Sequence, residues 1–194
     1  MTVSFSRKGR IPVRSIVKEI WAWISSIAIA FVLTLLIGLF VFQPTKVLGH
    51  SMDPTLHNEQ RIYVSKLVHT FGYEPKYGDI VIIDSRVERP RSFKDDLLEH
   101  PLLELMRGVQ DENMYVKRVI GKPGDVIELK EQKVYRNGEP LDEPYINETM
   151  QFSAERKWTV PEGSLFVMGD NRNHSKDSRD IGFVPLDHVL GIKL

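Results

Sequence analysis

Gly78-Asp79-Ile80-Val81-Ile82-Ile83-Asp84 sets four consecutive β-branched residues between polar ends. An apolar run this short, bounded by polar residues, reads as a buried strand. Similar short segments lie on either side. Arg61–Lys66 alternates weakly, Met114–Ile120 and Val126–Leu129 are apolar and β-rich, and Ser164–Met168 precedes a polar loop. Lys133–Arg136 runs into Asn137-Gly138, the dipeptide of a two-residue hairpin turn. Strands at this spacing, with no long helices between them, predict an antiparallel all-β domain.

Two segments break the pattern. Arg86–Asn113 is charged, and Leu97, Leu98, Leu102, Leu103, Leu105 and Met106 suggest a short amphipathic helix broken near Pro101. It reads as an insertion at about 86–113, or equally as a helix covering one end of a barrel. Tyr145–Trp158 is polar and reads as a long loop or an irregular hairpin.

Upstream, Ile20–Phe42 contains no charged residue. As a helix it would be roughly 34 Å long, enough for a hydrocarbon core of about 30 Å. Trp21 and Trp23 stand at its start, where aromatic rings favour the headgroup level. Apolar character on every face argues against a core helix. The run exceeds the ~7–15 apolar residues of a cleaved secretory signal, and no small-x-small site follows it. Residues 1–19 carry five basic residues against Glu19 alone. The expected organisation is therefore a cytoplasmic basic segment (1–19), a transmembrane helix (20–42) and an extracytoplasmic β-rich domain (43–194).

The 194 residues suffice for an anchor and one domain with a core. Lysine plus arginine balances aspartate plus glutamate at 26 each. The basic excess is confined to the flank of the apolar run, so no nucleic-acid footprint follows. The absence of cysteine excludes disulfides, thiolate nucleophiles and cysteine metal sites.

Between the anchor and the first strand lies Gly49-His50-Ser51-Met52-Asp53-Pro54-Thr55-Leu56. Gly49 can take positive φ and Pro54 fixes its own φ, so Ser51 sits in a tight turn that can present a hydroxyl and a backbone N–H together. A lone serine in a turn is usually only that, and as a nucleophile it needs an activator. In Met114–Ile120, alternation puts Tyr115, Lys117 and Val119 on one face and Val116, Arg118 and Ile120 on the other. If the first face is core, Lys117 is desolvated and its pKa falls, making it a candidate general base. On the strand alone, a lysine at a solvent edge is the commoner arrangement. The loop Gly169-Asp170-Asn171-Arg172-Asn173-His174-Ser175-Lys176-Asp177-Ser178-Arg179-Asp180 offers a rival, because His174 among aspartates leaves a Ser–His–Asp arrangement open. Gly169 there permits close backbone approach, and Asp177 and Arg179 can pair around a turn.

Four boxes occur in order: Ser51-Met52-x-Pro54-Thr55-Leu56; Gly78-Asp79-Ile80-Val81; Tyr115-Val116-Lys117-Arg118-Val119-Ile120-Gly121-x-Pro123-Gly124-Asp125; and Gly169-Asp170-Asn171-Arg172-x-x-Ser175-x-Asp177-Ser178-Arg179. With the single N-terminal anchor, they make the chain resemble a bacterial type I signal peptidase, most like the small single-anchor forms of Gram-positive bacteria. Each box is weak alone, and four in order are very specific. The resemblance implies a mainly β fold, an anchor followed by an antiparallel β-barrel-like Ser–Lys peptidase domain. It implies Ser51 as nucleophile and Lys117 as general base, with Tyr115 and Val167 keeping Lys117 dry. Ser175 would hydrogen-bond the Lys117 amine, and Asp177 and Arg179 would form a supporting salt bridge. Val47, Met52, Leu56, Tyr115 and Val116 match positions lining shallow pockets for small substrate side chains. No metal or cofactor is expected. The implied partners are preproteins with small-x-small cleavage sites, membrane lipid and the protein-export machinery. Three positions depart from the family pattern. Gly49 stands where some members carry an oxyanion-binding serine, His174 where asparagine is common, and Gly191-Ile192-Lys193-Leu194 where the family usually continues through a last strand. Two readings from other classes remain open from sequence: a membrane-anchored binding domain that does not cut, and a Ser–Lys enzyme acting on itself.

Overall fold

The computed structural model describes residues 13–67, 72–92, 95, 113–152 and 154–194. The leucine-rich segment 97–106 expected to form an amphipathic helix lies outside them.

The apolar run is one helix, α1 (Val13–Phe40). It begins earlier than the charge-free stretch and takes in Arg14 and Lys18. Ile16–Ile37 is long and apolar enough to cross a membrane. The hydroxyls of Ser25 and Ser26 donate to the Ala22 carbonyl, and that of Thr34 donates to Ala30. Polar side chains are thereby satisfied within the helix, which makes them compatible with an apolar surrounding.

In the second compact unit, Gly38–Leu194, every paired strand among the described residues is antiparallel. Its strands are β1 (Phe42–Lys46), β2 (Arg61–Ser65), β3 (Ile80–Asp84), β4 (Met114–Gly121), β5 (Val126–Lys130), β6 (Lys133–Arg136), β7 (Glu139–Pro140), β8 (Arg156–Thr159), β9 (Ser164–Met168), β10 (Val184–Pro185) and β11 (Val189–Lys193). A seven-stranded sheet has the order β1-β2-β11-β3-β4-β9-β10, and a four-stranded sheet the order β7-β6-β5-β8. The antiparallel β class expected from the strand spacing is what the chain adopts.

The β-branched run becomes β3, and every one of its residues is buried. Ile80 and Ile82 join one core cluster with Val47, Met52, Leu56 and Val64. Val81 and Ile83 join a second with Val119, Val167 and Val189. Burial on both faces is why this strand lacks an apolar–polar alternation. A third cluster, around Ile127, Leu129, Phe166 and Met168, sits where β4 passes into β5. Gly121 marks that crossing, since a Cβ there would lie 2.9 Å from Ile127 Cδ1. Asn137 and Gly138 take positive φ and close the β6–β7 hairpin as the dipeptide predicts.

Three elements depart from the expectation. Gln43-Pro44-Thr45, whose proline argues locally against a strand, lies within edge strand β1, where Pro44 opposes Tyr63. A proline is tolerated at an edge, where its missing N–H leaves no ladder bond unmade. Part of the polar stretch 145–158 becomes β8, which pairs with β5. The final residues form β11, inserted between β2 and β3.

Candidate active site

Ser51 lies in a turn fixed from three directions. Met52 and Leu56, four residues apart, are each 1% exposed and plug the turn into the first core cluster. Leu56 N–H donates to the Met52 carbonyl at 2.9 Å. Gly49 takes φ 87°, and its N–H donates to Asn58 Oδ1 at 2.8 Å. From the far side of the sequence, Asn171 N–H donates to the Ser51 carbonyl at 3.0 Å, and its side-chain amide donates to the His50 carbonyl at 3.1 Å.

Strand β4 delivers Lys117 to this turn. Its Nζ lies 2.8 Å from Ser51 Oγ and 3.0 Å from the Val116 carbonyl oxygen. The residue is 3% exposed. Of the two faces of β4, the one holding Tyr115, Lys117 and Val119 is thus turned inward at Lys117, and the Tyr115 ring centroid is 5.1 Å from Nζ. Burial pushes the Lys117 pKa down to about 8, with Asp177 opposing the shift and Arg179 assisting it. An amine with that pKa is neutral in a large fraction of molecules near pH 8, and its lone pair can then accept the Ser51 proton. Arg118, on the opposite face, pairs with buried Asp170 through two contacts of 2.8 and 2.5 Å.

The polar loop after β9 folds back onto the site. Asp177 is fully buried and caps the short helix α2 (Ser178–Ile181). Its carboxylate accepts two bonds from the Arg179 guanidinium, both at 2.8 Å, and one from Gly169 N–H at 3.0 Å. Gly169 has to be glycine here, because a Cβ would overlap Ser175 Oγ and the Ser51 carbonyl oxygen. Arg172, also buried, donates from Nε to the Gly169 carbonyl at 3.0 Å.

The structure thus brings Ser51 and Lys117 into hydrogen-bond contact and pairs Asp177 with Arg179. It corrects one expectation: Ser175 Oγ is buried against Gly169 but has no hydrogen-bond partner among the described residues. The Lys117 amine is occupied by Ser51 and the Val116 carbonyl. The residues expected to line substrate pockets divide. Val47, Met52 and Leu56 are at most 2% exposed and belong to the core, while Tyr115 and Val116 are half-buried. The first three therefore shape the site from beneath and present almost no surface of their own.

Among the described residues, no histidine is bonded to Ser51 Oγ, whose partner is Lys117. His174 is exposed. His50 Nδ1 lies 2.9 Å from Asp53, and His57 Nδ1 lies 3.1 Å from the other oxygen of the same carboxylate. The His50 contact, aided by His57, holds the Asp53 carboxyl below the usual carboxylate range against partial desolvation. Among the described residues no group of three acidic or histidine side chains could hold a metal ion. The role of Asn171 in holding the Ser51 turn was not legible from sequence; a polar loop residue carries no signal for a partner 120 positions upstream. Arg118 did carry one, since alternation against Lys117 placed it on the other face.

Residues 20–193 match the family model described as signal peptidase, peptidase S26. The chain is 41% identical over 184 residues to a protein of Bacillus licheniformis named signal peptidase I, covering 89% of this chain and 86% of that protein. It is 37% identical to signal peptidase I T of Bacillus subtilis, covering 87% and 80%. To signal peptidase IB of Staphylococcus aureus it is 34% identical, covering 90% and 87%.

Proposed function

The chain belongs to the signal peptidase family, peptidase S26, a hydrolase family of serine endopeptidases, and on that premise we propose that it removes N-terminal signal peptides from exported preproteins with a Ser51–Lys117 dyad. The observation that carries the proposal is the 2.8 Å contact between Ser51 Oγ and a lysine amine that burial has pushed down to about 8.

In the proposed reaction, neutral Lys117 accepts the Ser51 proton as Oγ bonds to the carbonyl carbon at the cleavage site. The resulting oxyanion is held by the Ser51 N–H, a contribution of about 3–4 kcal/mol per donor. Gly49 offers no hydroxyl, and its N–H is already bonded to Asn58, so a second donor comes from elsewhere. As the C–N bond breaks, the Lys117 ammonium gives its proton to the leaving amine. The neutral Lys117 amine then takes a proton from water, hydroxide attacks the ester carbonyl, and as the ester C–O bond breaks Lys117 returns that proton to Ser51 Oγ.

The substrate adds as an extended strand beside the segments around Val47 and Tyr115. Val47, Met52 and Leu56 are buried there, and the shallow pockets proposed above them suit alanine-sized side chains at an A-x-A site. Helix α1 anchors the protein in the membrane, with the basic N-terminal flank cytoplasmic. Membrane lipid and the export machinery are its natural surroundings.

The test is cleavage of a purified preprotein carrying an A-x-A site by the full chain in detergent, wild type beside Ser51→Ala and Lys117→Ala. Cleavage at that site by wild type alone is the expected result. Cleavage that survives Lys117→Ala but is lost in His174→Ala moves the base to the histidine and overturns the dyad.

A further inference from the structure

Tyr145 belongs to a polar stretch with no evident chemistry in the sequence, yet it sits among the most buried charges of the domain. Its ring lies over the Arg118 guanidinium, 4.0 Å from ring centroid to Cζ, and 5.9 Å from that of Arg172. Its hydroxyl donates to Glu143 Oε1 at 2.9 Å. Glu143 is itself paired through both carboxylate oxygens with Arg172, at 2.9 and 2.6 Å, and the two side chains are 5% and 1% exposed. Burial, with the Glu143 charge nearby, pushes the Tyr145 hydroxyl pKa up, so the ring stays neutral at working pH.

Both arginines act on the loop that holds the nucleophile. Arg118 grips Asp170 and donates to the Gly78 carbonyl at 2.9 Å. Arg172 holds the Gly169 carbonyl at 3.0 Å. Gly169 packs directly on the Ser51 carbonyl, and the N–H and side-chain amide of Asn171 fix the Ser51 and His50 carbonyls. A long arginine free to choose rotamers would let this loop shift. A ring stacked on one guanidinium and a carboxylate forked onto the other remove that freedom.

We infer that Glu143 and Tyr145 are positioning residues: as a brace on Arg118 and Arg172, they set the alignment of Ser51 toward Lys117. The inference rests on the Ser–Lys reading above. The brace touches neither substrate nor the reacting atoms, so its loss acts on the chemical step and leaves substrate binding unchanged. Misplacement by about an ångström costs on the order of 100-fold in rate.

The experiment compares kcat, KM and Tm of the full chain in detergent for wild type, Tyr145→Phe, Tyr145→Leu and Glu143→Gln, with Lys117→Ala in parallel. Phenylalanine keeps the stacked ring; leucine fills the space without a π-face. The expected result is a kcat roughly 10- to 100-fold lower in Tyr145→Leu, with KM within about threefold. Tyr145→Phe should recover most of the rate. Equal losses in the phenylalanine and leucine variants, or a Tyr145→Leu variant with wild-type kcat, overturn the inference, as does a loss carried by KM. If Tyr145→Leu does not fold, Glu143→Gln decides the matter: a lowered kcat at unchanged KM supports the brace, and wild-type kcat refutes it. Activity surviving Lys117→Ala would instead bring down the dyad on which the brace is read.

Discussion

A buried lysine should weaken the fold while it is charged, and Lys117 allows that cost to be measured. Burial lowers its pKa from an ordinary 10.5 to about 8. The unfolded chain therefore binds this proton more tightly than the native state does. Wild-type stability is penalised in full below about pH 8, recovers as pH rises, and escapes the penalty above about 10.5. At about 1.4 kcal/mol per pH unit, the gap between 8 and 10.5 amounts to about 3 kcal/mol at pH 6.5 and about 1 kcal/mol at pH 10. Lys117→Met removes the charge and nearly keeps the shape. Its stability relative to wild type also contains a pH-independent part from the lost contact to Ser51, so the difference between the two pH values is the informative quantity. Urea unfolding of both proteins in detergent, followed by near-ultraviolet circular dichroism, should show the advantage of the methionine variant shrinking by about 2 kcal/mol from pH 6.5 to pH 10. In parallel, wild-type kcat/KM should rise with pH to a midpoint near 8, because only the neutral amine is a base. A stability difference that does not move with pH, or a rate midpoint in the ordinary histidine range, would refute the reasoning.

Further outcomes follow from the loop behind the dyad. Gly169→Ala places a methyl group on Ser175 Oγ and the Ser51 carbonyl; it should cost about 1–3 kcal/mol of stability and reduce kcat by roughly 100-fold, read by thermal unfolding and steady-state cleavage. Asp177→Asn leaves Arg179 without its charged partner in a buried setting and should cost about 3–5 kcal/mol, a drop in Tm on the order of 10 °C by calorimetry. The orientation proposed for the anchor predicts that a cysteine replacing exposed Glu155, in a chain that has none, reacts with an impermeant maleimide added to intact cells. Labelling only after permeabilisation would reverse that topology.

The sequence determined whatever depends on one segment at a time. Twenty-three uncharged residues specify an apolar helix because no partner is needed to satisfy its backbone. Four β-branched residues between polar ends specify a buried strand, as Ile80–Ile83 turned out to be. Alternation along Met114–Ile120 separates Lys117 from Arg118, and Asn137-Gly138 carries its hairpin because both residues tolerate positive φ. Four spaced boxes then identified the family. What the tertiary structure alone decided is everything that requires two distant segments to meet. Strands β1, β8 and β11 were illegible because their ladder bonds come from partners far along the chain, and Pro44 and Gly191 argue locally against a strand. Gly191 makes sense only against β2, where a Cβ would overlap Val64 and Ser65. Whether Lys117 faced solvent or core could not be read from β4, because desolvation is a property of what packs over a side chain. For the same reason, the grip of Asn171 on Ser51 and the stacking of Tyr145 on Arg118 exist only in three dimensions: hydrogen bonds and ring contacts act over a few ångströms, and these partners lie 120 and 27 residues apart along the chain.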